Sequence, residues 1–467
     1  MLVPGEFERR IAAVGAVSLL VVGAMLAALA YWQVFRTDLA GRAGNPRVLS
    51  AYTNPGRGRI LDRQGNVLAE TLPGGQRYYP DASVAHVAGF IDSRLGMHGV
   101  ELAFNDALSG ETGARSWSAA FAAEFQRASV RGLDVRLTID PAVQAAAAGA
   151  LGARRGAVVV LDPRNGEVLA MVSVPTYDPG ALGRNGDALT SDPSSPLLNR
   201  ATQGSYPPGS TFKTVTASSA LEHGVITPET LVTCPGEIVV DGFPISCRNV
   251  PQGVGTYPFR DAFAYSVNAI FGQLGVEIGW KRLLDTARSF GFGSALDFTI
   301  ETAPSQVYAP DSSLTKVLLA STAFGQGELL ATPLQMAVIA ATIANGGVLV
   351  SPHLGLDALR DGKHVRDLET PEATRILSPG VSKTMRDLMV AVVANGQANG
   401  VAIPGVAVAG KTGTAESGHG TSHAWFIAFA PAESPTVAVA VLVEEGGQGG
   451  VVASPIAGKV IQAALGR

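Results

Sequence analysis

Charged residues, cysteine and histidine are all scarce in this chain. Of its 467 residues, 16% are charged, two are cysteine and seven are histidine, and the formal net charge is −4. A protein that binds nucleic acid through its phosphates needs a basic surface, so we expect no nucleic-acid partner. Histidines and cysteines are not spaced as metal ligands, and we expect neither a metal nor a cofactor. The length indicates two or three domains around a large hydrophobic core.

One long apolar run stands out near the amino terminus. Residues 11–35, IAAVGAVSLLVVGAMLAALAYWQVF, carry no charge and end in three aromatic side chains. This exceeds the roughly 20 residues that cross a bilayer as a helix. A cleaved signal peptide is the alternative, since ALA at 28–30 fits a cleavage site, but its apolar part spans only about 7–15 residues. We expect a cytoplasmic tail at 1–10, a single transmembrane anchor at 11–35 and an extracytoplasmic remainder.

The two cysteines lie close together, in CPGEIVVDGFPISC. Outside the membrane, Cys234 and Cys247 are candidates for a disulfide, which would contribute about 3 kcal/mol through loop entropy. Two free buried thiols are the alternative, because the sequence alone does not give their geometry.

Elements that indicate an antiparallel sheet lie at the two ends of the region after residue 135. GAVVVLDPRNGEVLAMVSV reads as a hairpin around Asn165-Gly166, and three more strands and an apolar helix close the chain. Asp140 and Pro141 suit the start of a helix before the hairpin. The middle, 205–400, reads as mostly helical. This order predicts an α+β fold with a five-stranded antiparallel sheet covered by helices, plus an all-helical part.

A serine and a lysine share one helical face in YPPGSTFK. Ser210 and Lys213 are three residues apart, so a lysine of lowered pKa could take the serine's proton. Taken alone this signal is weak, because Ser-x-x-Lys occurs by chance and recurs at Ser313 and Lys316. A helix cap with a solvated lysine is the alternative for either match.

Two further motifs strengthen the first of these matches. SVN places Ser266 and Asn268 about fifty residues after Ser210, and KTGT places Lys411 to Thr414 on a predicted strand. Ser-x-x-Lys, Ser-x-Asn and Lys-Thr-Gly in this order are the signature of penicillin-binding proteins and class A β-lactamases.

The chain resembles the class B penicillin-binding proteins, in particular the actinobacterial penicillin-binding protein A type. RGRILDRQGNVLAE, HGVELAFNDALSG, NRATQGSYPPGSTFK and FGQGELLATPLQMA are all similar to family segments. The resemblance implies a pedestal, dimerisation-like domain at 36–135 and a transpeptidase domain of the penicillin-binding and serine β-lactamase-like fold at 136–467. It implies a membrane-anchored peptidoglycan D,D-transpeptidase that releases D-Ala and is acylated by β-lactams. We expect Arg57 and Asp62 to hold the pedestal together.

The resemblance also implies a role for each motif residue in acyl transfer. Ser210 is the expected nucleophile, Lys213 its base and Ser266 a proton relay, while Asn268 holds Lys213 and a substrate carbonyl. On the strand, Gly413 would let the substrate backbone approach closely, and Lys411, Thr412 and Thr414 would bind a terminal carboxylate.

The expected partners are peptidoglycan stem peptides as donor and amine acceptor, β-lactams, and a SEDS-family glycosyltransferase in the membrane. Three alternatives remain open: a D,D-carboxypeptidase, a serine β-lactamase and a vestigial cell-wall scaffold. The sequence between Asn268 and Lys411 lacks the E-x-x-x-N loop of class A β-lactamases, which weighs against the second alternative.

Overall fold

The computed structural model describes residues 4–34, 56–110, 131–247, 254–395, 398–418 and 420–467. Its helices are α1 (Pro4–Val34), α2 (Ala85–Ala88), α3 (Gly99–Ala103), α4 (Asn105–Ser109), α5 (Pro141–Leu151), α6 (Leu182–Ser191), α7 (Lys213–Glu222), α8 (Phe259–Ala264), α9 (Asn268–Ser289), α10 (Lys316–Ala323), α11 (Pro333–Ala344), α12 (Pro379–Asn395) and α13 (Gly449–Ala464). Its strands are β1 (Ile60–Leu61), β2 (Val67–Thr71), β3 (Arg77–Tyr78), β4 (Phe90–Asp92), β5 (Gly96–His98), β6 (Asp134–Leu137), β7 (Gly156–Leu161), β8 (Val168–Val174), β9 (Leu231–Cys234), β10 (Glu237–Val240), β11 (Phe243–Ser246), β12 (Gly255–Pro258), β13 (Val348–Val350), β14 (Gly355–Arg360), β15 (Lys363–Asp367), β16 (Ala373–Arg375), β17 (Ala409–Ala415), β18 (His423–Ala430) and β19 (Val437–Val443).

Helix α1 covers most of the apolar run at 11–35. Within the described ranges, no helix meets the combined requirement of length and apolar character for crossing a bilayer. The membrane anchor therefore stays a prediction.

A five-stranded sheet in the order β17-β18-β19-β7-β8 forms the centre of the region after residue 135, and all its pairings are antiparallel. The predicted sheet is confirmed, including the hairpin of β7 and β8, where Gly166 has a φ of 82°. Strands β18 and β19 are rich in apolar and β-branched residues that suit a sheet buried on both faces. β17 is an edge strand, so one of its sides has no strand partner in the described chain.

Helices cover both faces of this sheet. α5 and α13 pack against each other, α5 on β8 and α13 on β18, while α11 packs on β19 and β7 and makes no substantial contact with α5 or α13. As predicted, Asp140 caps α5 by accepting from Ala142 N at 3.0 Å, and Pro141 occupies the first helical position. Helix α11 is almost wholly buried, and Thr332 caps it by accepting from Gln335 N at 3.1 Å. The buried helices fix the sheet in the centre of the domain.

The middle of the chain is not all helical, which corrects that part of the predicted fold. β10 and β11 form a hairpin, and β9 pairs with β12. The hairpin turn is Asp241-Gly242, with φ values of 44° and 86°, a turn signal already present in the sequence. A disulfide joins Cys234 to Cys247 across a Cα–Cα distance of 6.0 Å and closes the loop that carries this hairpin.

The pedestal contains a second sheet, in the order β15-β14-β6-β1-β2-β3. β6 pairs in parallel with β1, and on its other side it pairs with β14, whose residues 355–360 come from far along the chain. Arg136 and Asp357 form an ion pair across this junction, at 2.7 Å. The predicted boundary after residue 135 therefore falls inside strand β6.

A buried ion triad lies at the centre of the pedestal. Glu101 is fully buried and accepts from Arg57 Nε at 2.8 Å and from Arg77 Nε at 2.6 Å. Burial alone would raise the pKa of Glu101, but Arg77 and Arg57 together hold that pKa below its usual value. Asp62, by contrast, accepts from the backbone of its own turn, at Gln64 N and Asn66 N. Both Arg57 and Asp62 thus have the structural roles that were expected.

Glu101→Gln is expected to lower the free energy of unfolding by about 3–5 kcal/mol, because two buried guanidinium groups lose their counter-charge. Thermal unfolding at neutral pH should show a melting temperature lower by about 3–5 °C. The contribution of Glu101 is present above the pKa of the unfolded chain and is lost as pH falls through the lowered folded value. The difference between wild type and variant should therefore narrow in acid.

The matched control is Glu229→Gln, which removes the carboxylate of an exposed pair with Arg260. Exposed pairs contribute about 0–1 kcal/mol, so this variant should melt within about 1 °C of wild type. Equal melting temperatures for the two variants would contradict the role given to Glu101.

Candidate active site

Ser210 lies in a sharp turn directly before a buried helix. A short 3₁₀ helix covers Gly209–Phe212, and α7 begins only at Lys213. The sequence predicts one helical face for Ser210 and Lys213, whereas in the structure the serine lies in the 3₁₀ turn and the lysine starts the α-helix. The Ser210 side chain is half-buried, and its hydroxyl makes no hydrogen bond within the described part of the chain. It is therefore free to meet a substrate.

Hydrogen bonds from both sides hold the segment that leads to Ser210. Trp425 Nε1 donates to the carbonyl of Pro207 at 2.9 Å, and Thr211 Oγ1 donates to that of Pro208 at 2.7 Å. Tyr206 pairs through both backbone groups with Ala331, at 3.1 and 2.8 Å. Sequence reasoning did not find Trp425, which lies more than 200 residues from the turn that it stabilises.

Three glycines allow the turn to pack closely. Gly209 has a φ of 55°, and a Cβ there would lie 2.7 Å from the carbonyl oxygen of Thr414. A Cβ on Gly325 would lie 1.7 Å from the Gly209 oxygen, which explains the glycine in FGQG. A Cβ on Gly413 would lie 2.8 Å from the Pro208 oxygen. Gly413 is thus required for packing of the turn on β17. Its expected role in the close approach of substrate stays a prediction.

Ser266 lies between the two lysines of the motifs. Lys213 Nζ is 3.1 Å from Ser266 Oγ, and Lys411 Nζ is 2.9 Å from the same oxygen. Lys213 Nζ also donates to the Ser266 carbonyl at 2.7 Å and to Asn268 Oδ1 at 2.6 Å. The structure therefore brings residues from all three motifs into one hydrogen-bonded network.

Backbone conformation places Ser266 at this position. It lies between the end of α8 and the start of α9 with a φ of 61°, a left-handed conformation that is uncommon for serine. Such strain persists where the surroundings fix it, and it is typical of functional sites. Here Ser266 N donates to the Phe263 carbonyl and Val267 N to that of Ala262, at 3.1 and 3.0 Å.

Burial determines the charge states of the two lysines, which are both fully buried. Burial, followed by the nearby charge of Lys411, lowers the pKa of Lys213 well below its usual value. Burial lowers the pKa of Lys411 to about 7. The rings of Phe271 and Phe263 lie 5.2 and 5.9 Å from the respective Nζ atoms, where aromatic faces favour a cation. Near neutral pH the pair can therefore hold one neutral amine.

The remaining motif residues line the edge strand. On β17, Lys411 and Thr412 are buried and Thr414 is exposed. Ser313 and Lys316, the second Ser-x-x-Lys match, are both exposed at the start of α10, where Thr315 provides the cap. The structure thus separates the two matches: only the first joins the network. The described ranges contain no group of three or more His, Cys, Asp or Glu that could hold a metal ion.

This arrangement coincides with a family match over most of the chain. Residues 156–462 match the penicillin-binding protein transpeptidase domain, and residues 57–135 match the penicillin-binding protein A dimerisation domain. The chain belongs to the class B penicillin-binding proteins. The α+β fold with an amino-terminal domain is confirmed with it.

Two named relatives of this penicillin-binding protein match along nearly their whole length, and a third matches along about two thirds of its length. The peptidoglycan D,D-transpeptidase PbpA of Mycobacterium tuberculosis is 39% identical over 471 residues, which cover 93% of this chain and 94% of the relative. The protein of the same name from Mycolicibacterium smegmatis is 39% identical, with coverage of 94% and 96%. The peptidoglycan D,D-transpeptidase MrdA of Escherichia coli is 31% identical, with coverage of 80% and 69%.

Solved structures show the same architecture. The ceftriaxone acyl-enzyme complex of penicillin-binding protein A from M. tuberculosis superposes with a TM-score of 0.80 at 36% identity, covering 89% of this chain and all of that one. The corresponding imipenem acyl-enzyme complex gives a TM-score of 0.80 at 37% identity and the same coverage. PBP2 of Pseudomonas aeruginosa gives 0.75 at 31% identity, with coverage of 88% and 95%.

Proposed function

We propose that this penicillin-binding protein is a serine peptidoglycan D,D-transpeptidase that cross-links stem peptides ending in D-Ala-D-Ala. One observation carries the proposal: Lys213 Nζ and Lys411 Nζ meet at Ser266 Oγ, at 3.1 and 2.9 Å, one turn from the unpaired hydroxyl of Ser210. The relatives named as D,D-transpeptidases and the acyl-enzyme complexes of similar structures support the same activity.

In the first step, Ser210 Oγ attacks the carbonyl carbon of the penultimate D-Ala while neutral Lys213 Nζ takes its proton. The C–N bond then breaks, and the proton passes through Ser266 Oγ to the nitrogen of the departing D-Ala. Lys411, when charged, stabilises the terminal carboxylate together with the hydroxyl groups of Thr412 and Thr414. The product is an ester between Ser210 and the shortened donor peptide. A β-lactam carbonyl acylates Ser210 in the same way.

In the second step, an amine of a neighbouring stem peptide attacks the ester carbonyl. Lys213 Nζ accepts the amine's proton and returns it to Ser210 Oγ as the C–O bond breaks. The new amide is the cross-link. We assign Asn268 to hold the Lys213 amine and a carbonyl of the donor, and the backbone N–H groups of Ser210 and Thr414 to stabilise the oxyanion. The packing of Gly209 against the Thr414 carbonyl supports the last assignment.

Incubating the purified full chain with a donor pentapeptide and an acceptor peptide is expected to yield a cross-linked dimer and free D-Ala, because the amine competes with water for the ester. Mass spectrometry separates this product from the shortened donor alone. Release of D-Ala without any dimer would instead assign a D,D-carboxypeptidase. Rapid multiple turnover of a chromogenic β-lactam would assign a β-lactamase, and no acylation at all would assign a scaffold.

The membrane setting is part of the same proposal. The uncharged run at 11–35, with Leu19 and Leu20 exposed on α1, supports a single-pass anchor with a cytoplasmic amino terminus. The boundaries 1–10, 11–35, 36–135 and 136–467 are proposed on the sequence grounds given above. A SEDS-family glycosyltransferase is the proposed membrane partner, through the anchor and the pedestal; co-purification from membranes tests it.

A further inference from the structure

A cavity of about 320 Å³ opens beside the nucleophile turn. Its walls come from five separate segments: Arg155 before β7, residues between Ser195 and Tyr206 ahead of the turn, Ser417 just after β17, His423 at the start of β18, and Glu444 with Glu445 after β19. The mechanism proposed above uses none of these side chains. The cavity is therefore a second polar space next to the acylation site.

A buried ion cluster builds the floor of this cavity. Glu444 accepts from Arg200 Nε at 2.6 Å and from the Tyr206 hydroxyl at 2.7 Å, and it pairs with Arg155 Nη2 at 2.7 Å. Arg200 is only 1% exposed and also donates to the carbonyls of Ser194 and Ser195. These contacts fix the walls before any ligand arrives, so the cavity is preorganised.

Three polar groups face the cavity and can still form hydrogen bonds or ion pairs with a ligand. The Glu445 carboxylate is exposed and makes no hydrogen bond or ion pair within the described ranges, although its charge acts on His423. Its residue has a φ of 51°. Glu445 N donates to His423 Nδ1 at 3.1 Å, so the neutral imidazole carries its proton on Nε2 and can donate. The Arg155 side chain is half-exposed, although one of its nitrogens pairs with Glu444. A carboxylate and two donors therefore line one pocket.

The edge strand leads a bound peptide to this cavity. The free side of β17 can take an extended donor peptide by strand addition, antiparallel like the other pairings of this sheet. If the terminal carboxylate of the donor binds at Lys411 to Thr414, the residues that precede D-Ala-D-Ala lie toward Ala415, because the peptide is antiparallel to β17. Ala415 lies opposite His423 in the strand register, at the mouth of the cavity.

The donor must also carry an amine of its own. Cross-linking joins one stem peptide to an amine of a neighbouring one, so both stems contain the amine-bearing residue. We propose that this cavity is the subsite for that residue of the donor, and that it selects a side chain ending in an ammonium group beside a carboxylate. Glu445 binds the ammonium, while Arg155 and His423 Nε2 bind the carboxylate. The inference rests on the transpeptidase function proposed above.

Three synthetic donor peptides test the assignment. They end in D-Ala-D-Ala and differ only in the preceding residue, which is diaminopimelate, lysine or norleucine. The acylation rate of the full chain by each peptide is measured in competition with fluorescent penicillin. Wild type is expected to prefer lysine to norleucine by about fivefold, as for a partly exposed ion pair, and diaminopimelate to lysine by a further few fold.

Glu445→Gln should abolish the preference for lysine over norleucine, and Arg155→Gln the preference for diaminopimelate over lysine. Glu445→Asn removes the same charge, and asparagine adopts a positive φ more readily than glutamine. This second variant therefore keeps the test decisive if Glu445→Gln folds poorly. Glu372→Gln, an exposed glutamate outside the cavity, is the matched control and should keep both preferences.

The ratios between peptides decide the result. Unchanged preference in Glu445→Gln and Glu445→Asn would overturn the ammonium site, and equal acylation by lysine and diaminopimelate peptides in wild type would overturn the carboxylate site. Failure of every peptide to acylate the wild type, while penicillin still does, would count against the proposed function itself. The two failures are thus distinguishable.

Discussion

Ser210→Ala is expected to abolish covalent labelling of the protein by fluorescent penicillin. The Ser210 hydroxyl lies one turn from Lys213 and has no hydrogen-bond partner in the described chain. Its oxygen is the atom that would form the ester with penicillin, and alanine lacks this oxygen. Loss of the nucleophile in serine acyl enzymes lowers the rate on the order of 10⁶-fold, so labelling should fall below detection on a gel. The methyl group fits the half-buried turn, so the melting temperature should stay close to that of wild type.

Ser313→Ala provides the control that the sequence itself suggests. It removes the hydroxyl of the second Ser-x-x-Lys match, which is exposed and makes none of the hydrogen bonds of the network. Labelling of this variant should equal that of wild type. If the band survives in Ser210→Ala and disappears in Ser313→Ala, the nucleophile has been assigned to the wrong motif.

Lys213→Met is expected to lower the second-order rate of penicillin acylation by about 10²–10⁴-fold, the usual contribution of a general base. Methionine fills the buried space without a basic nitrogen, and stopped-flow or gel-based acylation gives the rate. Lys316→Met, at the second match, should acylate as fast as wild type. A loss of less than threefold in Lys213→Met would remove Lys213 from the role of base.

The pH dependence of wild-type acylation gives a separate check on the same residue. Because burial and Lys411 lower the pKa of Lys213, its amine is neutral at far lower pH than usual, and acylation declines only as pH falls through that lowered value. Lys411, with a pKa of about 7, loses its charge and its hold on a carboxylate as pH rises. The rate should therefore be highest between the lowered pKa of Lys213 and about pH 7. A rise of about tenfold per pH unit up to about pH 10 would indicate a base with an ordinary lysine pKa.

The predictions that the structure confirms rest on short-range signals. Asn165-Gly166 can adopt the conformations of a tight hairpin turn, and Asp140-Pro141 can begin a helix, whatever the rest of the chain does. The apolar, β-branched composition of β18 and β19 likewise reports burial on both faces of the sheet. Such features need no knowledge of distant residues.

The features that sequence reasoning missed depend on residues far apart in the chain. Trp425 supports the turn at Pro207, and Glu444 supports Tyr206, across separations of 218 and 238 residues. Nothing local distinguishes these side chains from other core or surface residues. The packing role of Gly413 was missed for the same reason, since the atoms that exclude a Cβ there belong to the segment around Pro208.

The pairing of β6 with β14 has a mechanical consequence. Hydrogen-bonded backbone joins the pedestal to a hairpin from the catalytic half, and the Arg136–Asp357 pair spans the seam. The hairpin follows α11 closely in the chain, and α11 packs beneath the catalytic sheet. A force applied to the pedestal is therefore transmitted to the catalytic sheet through the β6–β14 pairing and α11. A chain shortened to begin at residue 136 would lose half of strand β6, which forms this pairing.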